Sequence, residues 1–240
     1  MKIVIAEAYR PVENFLLSVP TLFRRDEGNL LYDQRNQVRR FEHKGLVFIA
    51  KRYKRVNPVQ QIAYTFFRKT KAERAYHFAE IYRQRGVRTP REIAYIETYE
   101  LGLFTTGYFI SEESKGRDLF LELRDAEHFD TELADAVVRH IAYMHSKGIL
   151  HGDLNLSNFL YEQRPDGKYL FTMIDINRSR FTDGWPTDEE CLKNLVRLVH
   201  RRDLYQYFIS RYAELRGWPV EETVGTALHL LERFEHRIIK

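Results

Sequence analysis

The sequence predicts an α+β fold in two halves: an antiparallel sheet carrying one inserted helix, followed by a mainly helical half. Three observations predict it. Residues 30–53 and 93–111 are rich in β-branched and aromatic side chains broken by polar turns, as in short strands. From Gly116 onward apolar residues recur mainly at helical spacing. The run DTELADAVVRHIAYMHSK, residues 130–147, is bracketed by Asp130 or Thr131 as N-cap and Gly148 as C-cap.

Taken in order, Lys2 to Tyr9 reads as a short strand and Pro11 to Pro20 as a short helix or loop. Leu30 to Tyr32 reads as a strand, and Asp33 to Asn36 as a turn. Gln37 to Phe41 and Gly45 to Tyr53 are two further strands of a meander, joined by His43-Lys44-Gly45 and ended by Pro58. Ile62 to Arg85 becomes helical: Ala72, Ala75, Tyr76, Ala79 and Tyr82 form a buried stripe, with Gly86 as C-cap and Pro90 beyond. Ile93 to Tyr99 and Thr105 to Ser111 complete a sheet of about five strands with one long helix after the third. Phe159 to Glu162 and Tyr169 to Ile174 make a hairpin around Pro165-Asp166-Gly167. Glu189 to His200, Leu204 to Leu215 and Val220 to Arg237 form a helical tail. The boundary near Ser111 to Gly116 divides the chain into residues 1–113 and 114–240.

The chain has 240 residues, 44% of them hydrophobic and 30% charged, with a net charge of +4. That balance favours anionic partners: phosphates, nucleic acid or acidic lipid surfaces. No nucleic-acid module with stacking aromatics at its own spacing is present, so no nucleic-acid partner is expected. Cys191 is the only cysteine, which excludes a disulfide framework and a cysteine zinc site within one chain; inside ECLKNLVRLV it reads as a core residue. The histidines show no metal spacing, and His140 and His145 read as packing residues. The basic runs at Arg68 to Lys71 and His200 to Arg202 read as solvated faces or as contacts to an anionic membrane or substrate. No apolar run approaches the ~18–20 residues of a membrane span, and no signal-peptide pattern opens the chain, so the expected compartment is the cytoplasm.

The stretch ILHGDLNLSN, Ile149 to Asn158, carries the chemistry, with an echo at Met173-Ile174-Asp175. Phosphoryl transfer needs a carboxylate at the acceptor hydroxyl, and an amide and a carboxylate on the metal that bridges the phosphates. Asp153 fits the first role as catalytic base. Asn158 and Asp175 fit the second, as hard oxygen ligands for Mg²⁺. Lys51, late in the strand LVFIAK, is placed to reach nucleotide phosphates. Its expected acidic partner on the inserted helix is Glu73, with Glu80 two turns later as the alternative. Arg35-Asn36 sits where a glycine-rich phosphate-covering loop would fall, without the glycines. Arg35 would add charge and Asn36 would tolerate a left-handed turn, a plain hairpin turn being the other reading. Glu112 and Glu113 lie at the boundary between the halves, either as an adenine-binding segment or as a solvated linker.

Together these residues resemble the protein-kinase-like superfamily, and within it the bacterial lipopolysaccharide core kinases that phosphorylate Kdo or heptose. Asn155 replaces the Lys found two residues after the catalytic Asp in protein kinases. Gly152 replaces the Arg of H-R-D. Ile176-Asn177 follows Asp175 in place of Phe-Gly. Thr70-Lys71-Ala72-Glu73-Arg74 and Gly86-Val87-Arg88-Thr89-Pro90 are also similar to that group. The resemblance covers about residues 29–180 and implies a two-lobe kinase fold. It further implies ATP and Mg²⁺ as cofactors, and transfer to a sugar hydroxyl of an anionic glycolipid, with peripheral contact at the inner face of the cytoplasmic membrane. The alternatives are another kinase-like phosphotransferase, acting on protein or on a small molecule such as an aminoglycoside, or a pseudokinase that binds a partner.

Overall fold

Strand alternation sorts the first part of the chain onto two faces of one sheet. In the computed structural model, which describes residues 1–124 and 127–238, the strands are β1 (Lys2–Ile5), β2 (Asn29–Asp33), β3 (Gln37–His43), β4 (Leu46–Arg52), β5 (Glu92–Glu100) and β6 (Leu103–Glu112). Their order is β1-β5-β6-β4-β3-β2, all antiparallel. With helices α1 (Glu13–Arg24), α2 (Pro58–Phe66) and α3 (Lys71–Gln84) they make a first unit, Met1–Gln84 with Thr89–Ser114. On one face Phe41, Phe48, Ala50, Tyr108 and Ile110 pack with Leu16, Val19 and Phe23 of α1. On the other, Tyr53 and Tyr95 pack with Ala72 of α3, and Tyr76 and Phe109 close over them. A β-carbon at Gly107 would lie only 3.0 Å from that of Ala72, so glycine there lets α3 ride close to the sheet.

Several local expectations change here. The first strand stops at Ile5, and Glu7–Val12 form a 3-10 turn. Pro11 to Pro20 is no short segment: α1 runs through Pro20 to Arg24, because Leu16, Val19, Pro20 and Phe23 bury one face. Each such burial contributes about 1.5–3 kcal/mol, which offsets the backbone bond that proline cannot make. Pro58 does not merely end the meander; it opens α2, whose first turn is capped by the Asn57 side chain accepting from Gln60 N at 2.9 Å. The single long helix expected from Ile62 to Arg85 is two helices. Thr70, buried, starts the second: its hydroxyl accepts from Glu73 N (3.1 Å) and donates to Glu97 (2.6 Å).

The second unit comprises Arg85–Arg88 and Lys115–Lys240. Its described elements are β7 (Arg117–Asp118), α4 (Leu119–Leu123), α5 (Thr131–Ser146), β8 (Ile149–Leu150), β9 (Phe159–Gln163), β10 (Tyr169–Met173), β11 (Arg180–Phe181), α6 (Asp188–Leu195), α7 (Arg202–Arg216) and α8 (Val220–Ile238). Strands pair as β10-β9-β7 and β11-β8. Asp130 caps α5 by accepting from Glu132 N and Leu133 N, and Gly148 follows its C-terminus at φ +66°. The helix expected over Glu189 to His200 ends at Leu195, having started from a reciprocal Thr187–Glu190 capping box. The short segment 85–88 belongs to this unit through real bonds: Arg85 donates to the carbonyls of Lys147, Gly148 and Thr182, and the Arg88 carbonyl accepts from Met173 N. Asp135 of α5 is gripped by Arg211 (2.8 and 2.9 Å) and Tyr207 (2.8 Å) of α7.

His140 and His145 of α5 are indeed packing residues. Burial pushes both imidazoles down to about 4. Folded, they stay neutral as pH falls from the ordinary imidazole range near 6.5, whereas the unfolded chain takes up the protons, so stability is full above that range and falls below it. The expected loss is up to about 1.4 kcal/mol per pH unit for each histidine between roughly pH 6.5 and 4. Urea midpoints measured across that window check it, and His140→Leu should remove the share of the slope that His140 contributes.

Candidate functional site

Antiparallel pairing of β8 with β11, Ile149 opposite Phe181 and Leu150 opposite Arg180, sets the loop after β8 beside the segment before β11. Ile174 N donates to Asn158 O at 2.9 Å, closing the other end. The site thus forms around residues 151–158 and 174–179. Leu154 and Leu156 are buried anchors that bracket Asn155. His151 is fully buried and holds the two segments together. Its Nε2 bonds the Ile174 carbonyl at 2.9 Å, and its Nδ1 accepts from Asp153 N at 3.3 Å. Those partners select the Nε2–H neutral tautomer, and burial holds the imidazole below its ordinary range. Asn194 of α6 donates to the His151 carbonyl (2.8 Å) and meets His145 Nε2 (3.1 Å), whose Nδ1 bonds Tyr212 Oη (2.7 Å). The loop is therefore braced by α5, α6 and α7.

Asp153 turns its backbone carbonyl inward and its carboxylate outward. The carbonyl accepts from Asn158 Nδ2 (2.7 Å) and Asn155 Nδ2 (3.2 Å). The carboxylate meets Arg178 Nη1 at 3.3 Å and Arg197 Nη1 at 3.2 Å, one guanidinium on each oxygen. Its bond to Asp153 spends the amide nitrogen of Asn158, and the amide oxygen is the atom left for a hard cation. Asp175 adopts the left-handed conformation (φ +55°, ψ +41°), unusual for a residue with a β-carbon, and its carboxylate accepts from Asn177 Nδ2. An amide oxygen and a carboxylate suit Mg²⁺ chemically. No group of three or more His, Cys, Asp or Glu among the described residues forms a protein-only metal cage. Gly152 is explained by space: a β-carbon there would overlap the Arg178 carbonyl oxygen, and would lie 2.9 Å from the carbonyl carbon.

A cavity of about 440 Å³ opens beside Asp153. Arg124, Asn155, Arg197, His200 and Phe234 line it with Asp153. Arg197 stacks on the Phe234 ring (4.7 Å) and His200 bonds Glu235 (2.9 Å), so α8 shapes this wall.

In the first unit, Phe48 and Ala50 face α1, and alternation puts Lys51 with Tyr53 on the α3 side. Lys51 Nζ lies 5.4 Å from the Tyr53 ring centroid. Glu73, in the first turn of α3, is half-buried and 4.0 Å from His77, whereas Glu80 is exposed and bonds Gln84. Of the two acids, Glu73 is the one turned toward the protein. Arg35 and Asn36 line a larger cavity, about 830 Å³, with Leu17, Arg24, Arg52 and Lys54; the Asn36 side chain accepts from Lys54 N at 3.3 Å. Glu112 ends β6. Its N–H donates to Arg91 O, its carboxylate takes the Tyr9 hydroxyl, and Glu113 pairs with Arg40 at 2.7 Å.

The model of the lipopolysaccharide kinase (Kdo/WaaP) family matches residues 37–213. The chain belongs to that family. A 3-deoxy-D-manno-octulosonic acid kinase of Vibrio vulnificus (strain CMCP6) is 28% identical over 159 residues, 64% of either chain, so the chain spans just under two thirds of that relative's length. A solved structure described as WaaP in complex with acyl carrier protein aligns over 100% of both chains with a TM-score of 0.65 at 19% identity, which establishes the kinase-like α+β fold. The Kdo/WaaP model extends past Arg180 into α7, beyond the reach of the sequence motifs.

Arg178 and Arg197 are the residues that sequence reading missed. Arg178 stands three residues after Asp175, where its spacing was a usable signal. Arg197 lies in a tail with no motif. Gly152→Ala should cost about 1–3 kcal/mol through overpacking against Arg178. Urea unfolding of the variant checks this, with loss of the Asp153–Arg178 alignment appearing as reduced turnover.

Proposed function

We propose that the chain transfers the γ-phosphate of ATP to a sugar hydroxyl, on Kdo or heptose, of the lipopolysaccharide inner core. The observation that carries this reading is the Asp153 carboxylate, held by two guanidiniums beside a cavity to whose wall Arg124 and Arg197 contribute. An anionic sugar would bind there through Arg124, Arg197 and His200, its hydroxyl directed at Asp153. Asp153 takes the hydroxyl proton as the oxygen bonds to the γ-phosphorus, and the bond to the bridging oxygen of ADP breaks. Asn158 and Asp175 would hold Mg²⁺, which neutralises phosphate charge when bound. Lys51, steadied by Glu73, would contact the α- and β-phosphates. Arg35 and Asn36 would cover the triphosphate in place of a glycine-rich loop, and the segment at Glu112 would meet the adenine.

Kinase membership of the family supports ATP as the donor. The name of the Vibrio relative supports a Kdo-type acceptor. ATP as donor sets the reaction on the cytoplasmic side of the membrane that carries the glycolipid. No described helix is long and apolar enough to cross a membrane, so contact with that lipid would be peripheral.

The test is ADP release with a panel of acceptors: Kdo-lipid A, heptosylated core, an aminoglycoside and a generic protein. Only the core sugars should stimulate release. Stimulation by the aminoglycoside or protein alone would overturn the reading. Arg124→Ala should raise the KM for the core acceptor about tenfold, with kcat and the KM for ATP little changed, because it removes a charge-assisted contact away from the reacting atoms.

A further inference from the structure

Helix α2 is fastened to the first unit by its polar side. Thr65 Oγ1 accepts from Phe104 N at 2.9 Å, and Tyr64 meets the Phe104 ring edge-on at 5.6 Å. The opposite stripe, Val59, Ile62 and Phe66 at i, i+3 and i+7, faces outward, and Phe67 extends it. These side chains are 77%, 48%, 66% and 79% exposed. No residue of α2 is buried. A surface helix ordinarily turns such a stripe into the core. Here it is inverted, and a contiguous exposed patch of this kind marks a contact surface. Leu101, wholly exposed at the turn between β5 and β6, adds a fifth apolar side chain on the hairpin that supports α2.

The charges around the stripe identify the occupant. Lys54 and Arg55 precede α2 and Arg68 and Lys69 follow it, all exposed, and no Asp or Glu occurs from Lys51 to Ala72. Arg55 is paired with Glu100 at 2.5 Å, which leaves Lys54, Arg68 and Lys69 as the cations that flank the outward apolar stripe and complement an anionic lipid surface. Phe66 and Phe67, at the C-terminal end beside Arg68, suit the inserted apolar face of an interfacial helix. The stripe is a convex helix face rather than a groove, so it fits a deformable partner.

We propose that α2 is an interfacial helix that seats the first unit on an anionic membrane, with Val59, Ile62, Phe66 and Phe67 inserted and Lys54, Arg68 and Lys69 on the headgroups. This rests on the surface itself and goes beyond the phosphotransfer reading.

Co-sedimentation of the full chain with vesicles tests it. The wild type should bind vesicles containing about one third phosphatidylglycerol and bind pure phosphatidylcholine at least tenfold more weakly, with salt weakening the anionic arm. Phe66→Ser with Phe67→Ser, and separately Arg68→Glu with Lys69→Glu, should each reduce anionic binding about tenfold or more. Both should keep the wild-type melting temperature and the wild-type rate of ADP release on a delipidated, water-soluble core acceptor. Wild-type failure to bind anionic vesicles, or variants that bind as the wild type does, would overturn the proposal. So would binding to an acidic protein that is lost in both variants while vesicle binding persists. A chain that binds vesicles but transfers no phosphate would sustain this proposal and overturn the kinase reading, so the two failures are distinct.

Discussion

One buried imidazole holds the candidate site together. His151 gives its Nε2–H to the Ile174 carbonyl and takes the Asp153 N–H on Nδ1, so a single ring joins the loop that carries Asp153 and Asn158 to the strand end that carries Asp175. Acceptance at Nδ1 requires the neutral ring, and burial holds the imidazole below its ordinary range. Leaving the Ile174 carbonyl unpaired in that interior would cost about 1–3 kcal/mol, and the same loss would free the two segments from one another. Behind the ring, Asn194, His145 and Tyr212 carry the constraint outward through three helices. A polar chain satisfied at each of these steps fixes the loop more sharply than apolar packing alone could.

The departures from the protein-kinase pattern acquire physical reasons in this frame. Gly152 stands where protein kinases carry Arg because the Arg178 backbone passes too close for a side chain. Asn155 stands where they carry Lys, and its amide supports the Asp153 carbonyl instead of reaching outward. The positive charge beside Asp153 comes from elsewhere in the chain, from Arg178 and Arg197.

Features written in short-range pattern were legible beforehand. The strands of the first unit, α5 with Asp130 before it and Gly148 after it, and the hairpin that returns the chain to Asp175 each follow from alternation, helical period or turn residues within a few positions, whereas the two-residue strands β7, β8 and β11 are too short to carry such a pattern. The split between α2 and α3 was not legible as read, because apolar spacing runs across both. The break depends on Thr70 bonding Glu97, a residue 27 positions away. Pro58 was ambiguous for a related reason: it ends a strand and begins a helix with equal ease, and Asn57 decides between them. Arg197, His200 and Phe234 entered the site through tertiary packing of a tail without a motif, and no local rule places them beside Asp153. The outward stripe of α2 was hidden inside what read as one buried helix.

The most direct test of the account separates the two acidic residues that His151 brings into one site. Calorimetric titration with a non-hydrolysable ATP analogue, with and without Mg²⁺, should find Asp153→Asn binding nucleotide within about threefold of wild type, while a separate ADP-release assay with ATP finds essentially no transfer, as the role proposed for its carboxylate at the acceptor hydroxyl requires. Asp175→Asn should lose the Mg²⁺-dependent part of the affinity. Equal nucleotide binding by both variants with Mg²⁺ present, or wild-type turnover by Asp153→Asn, would contradict it.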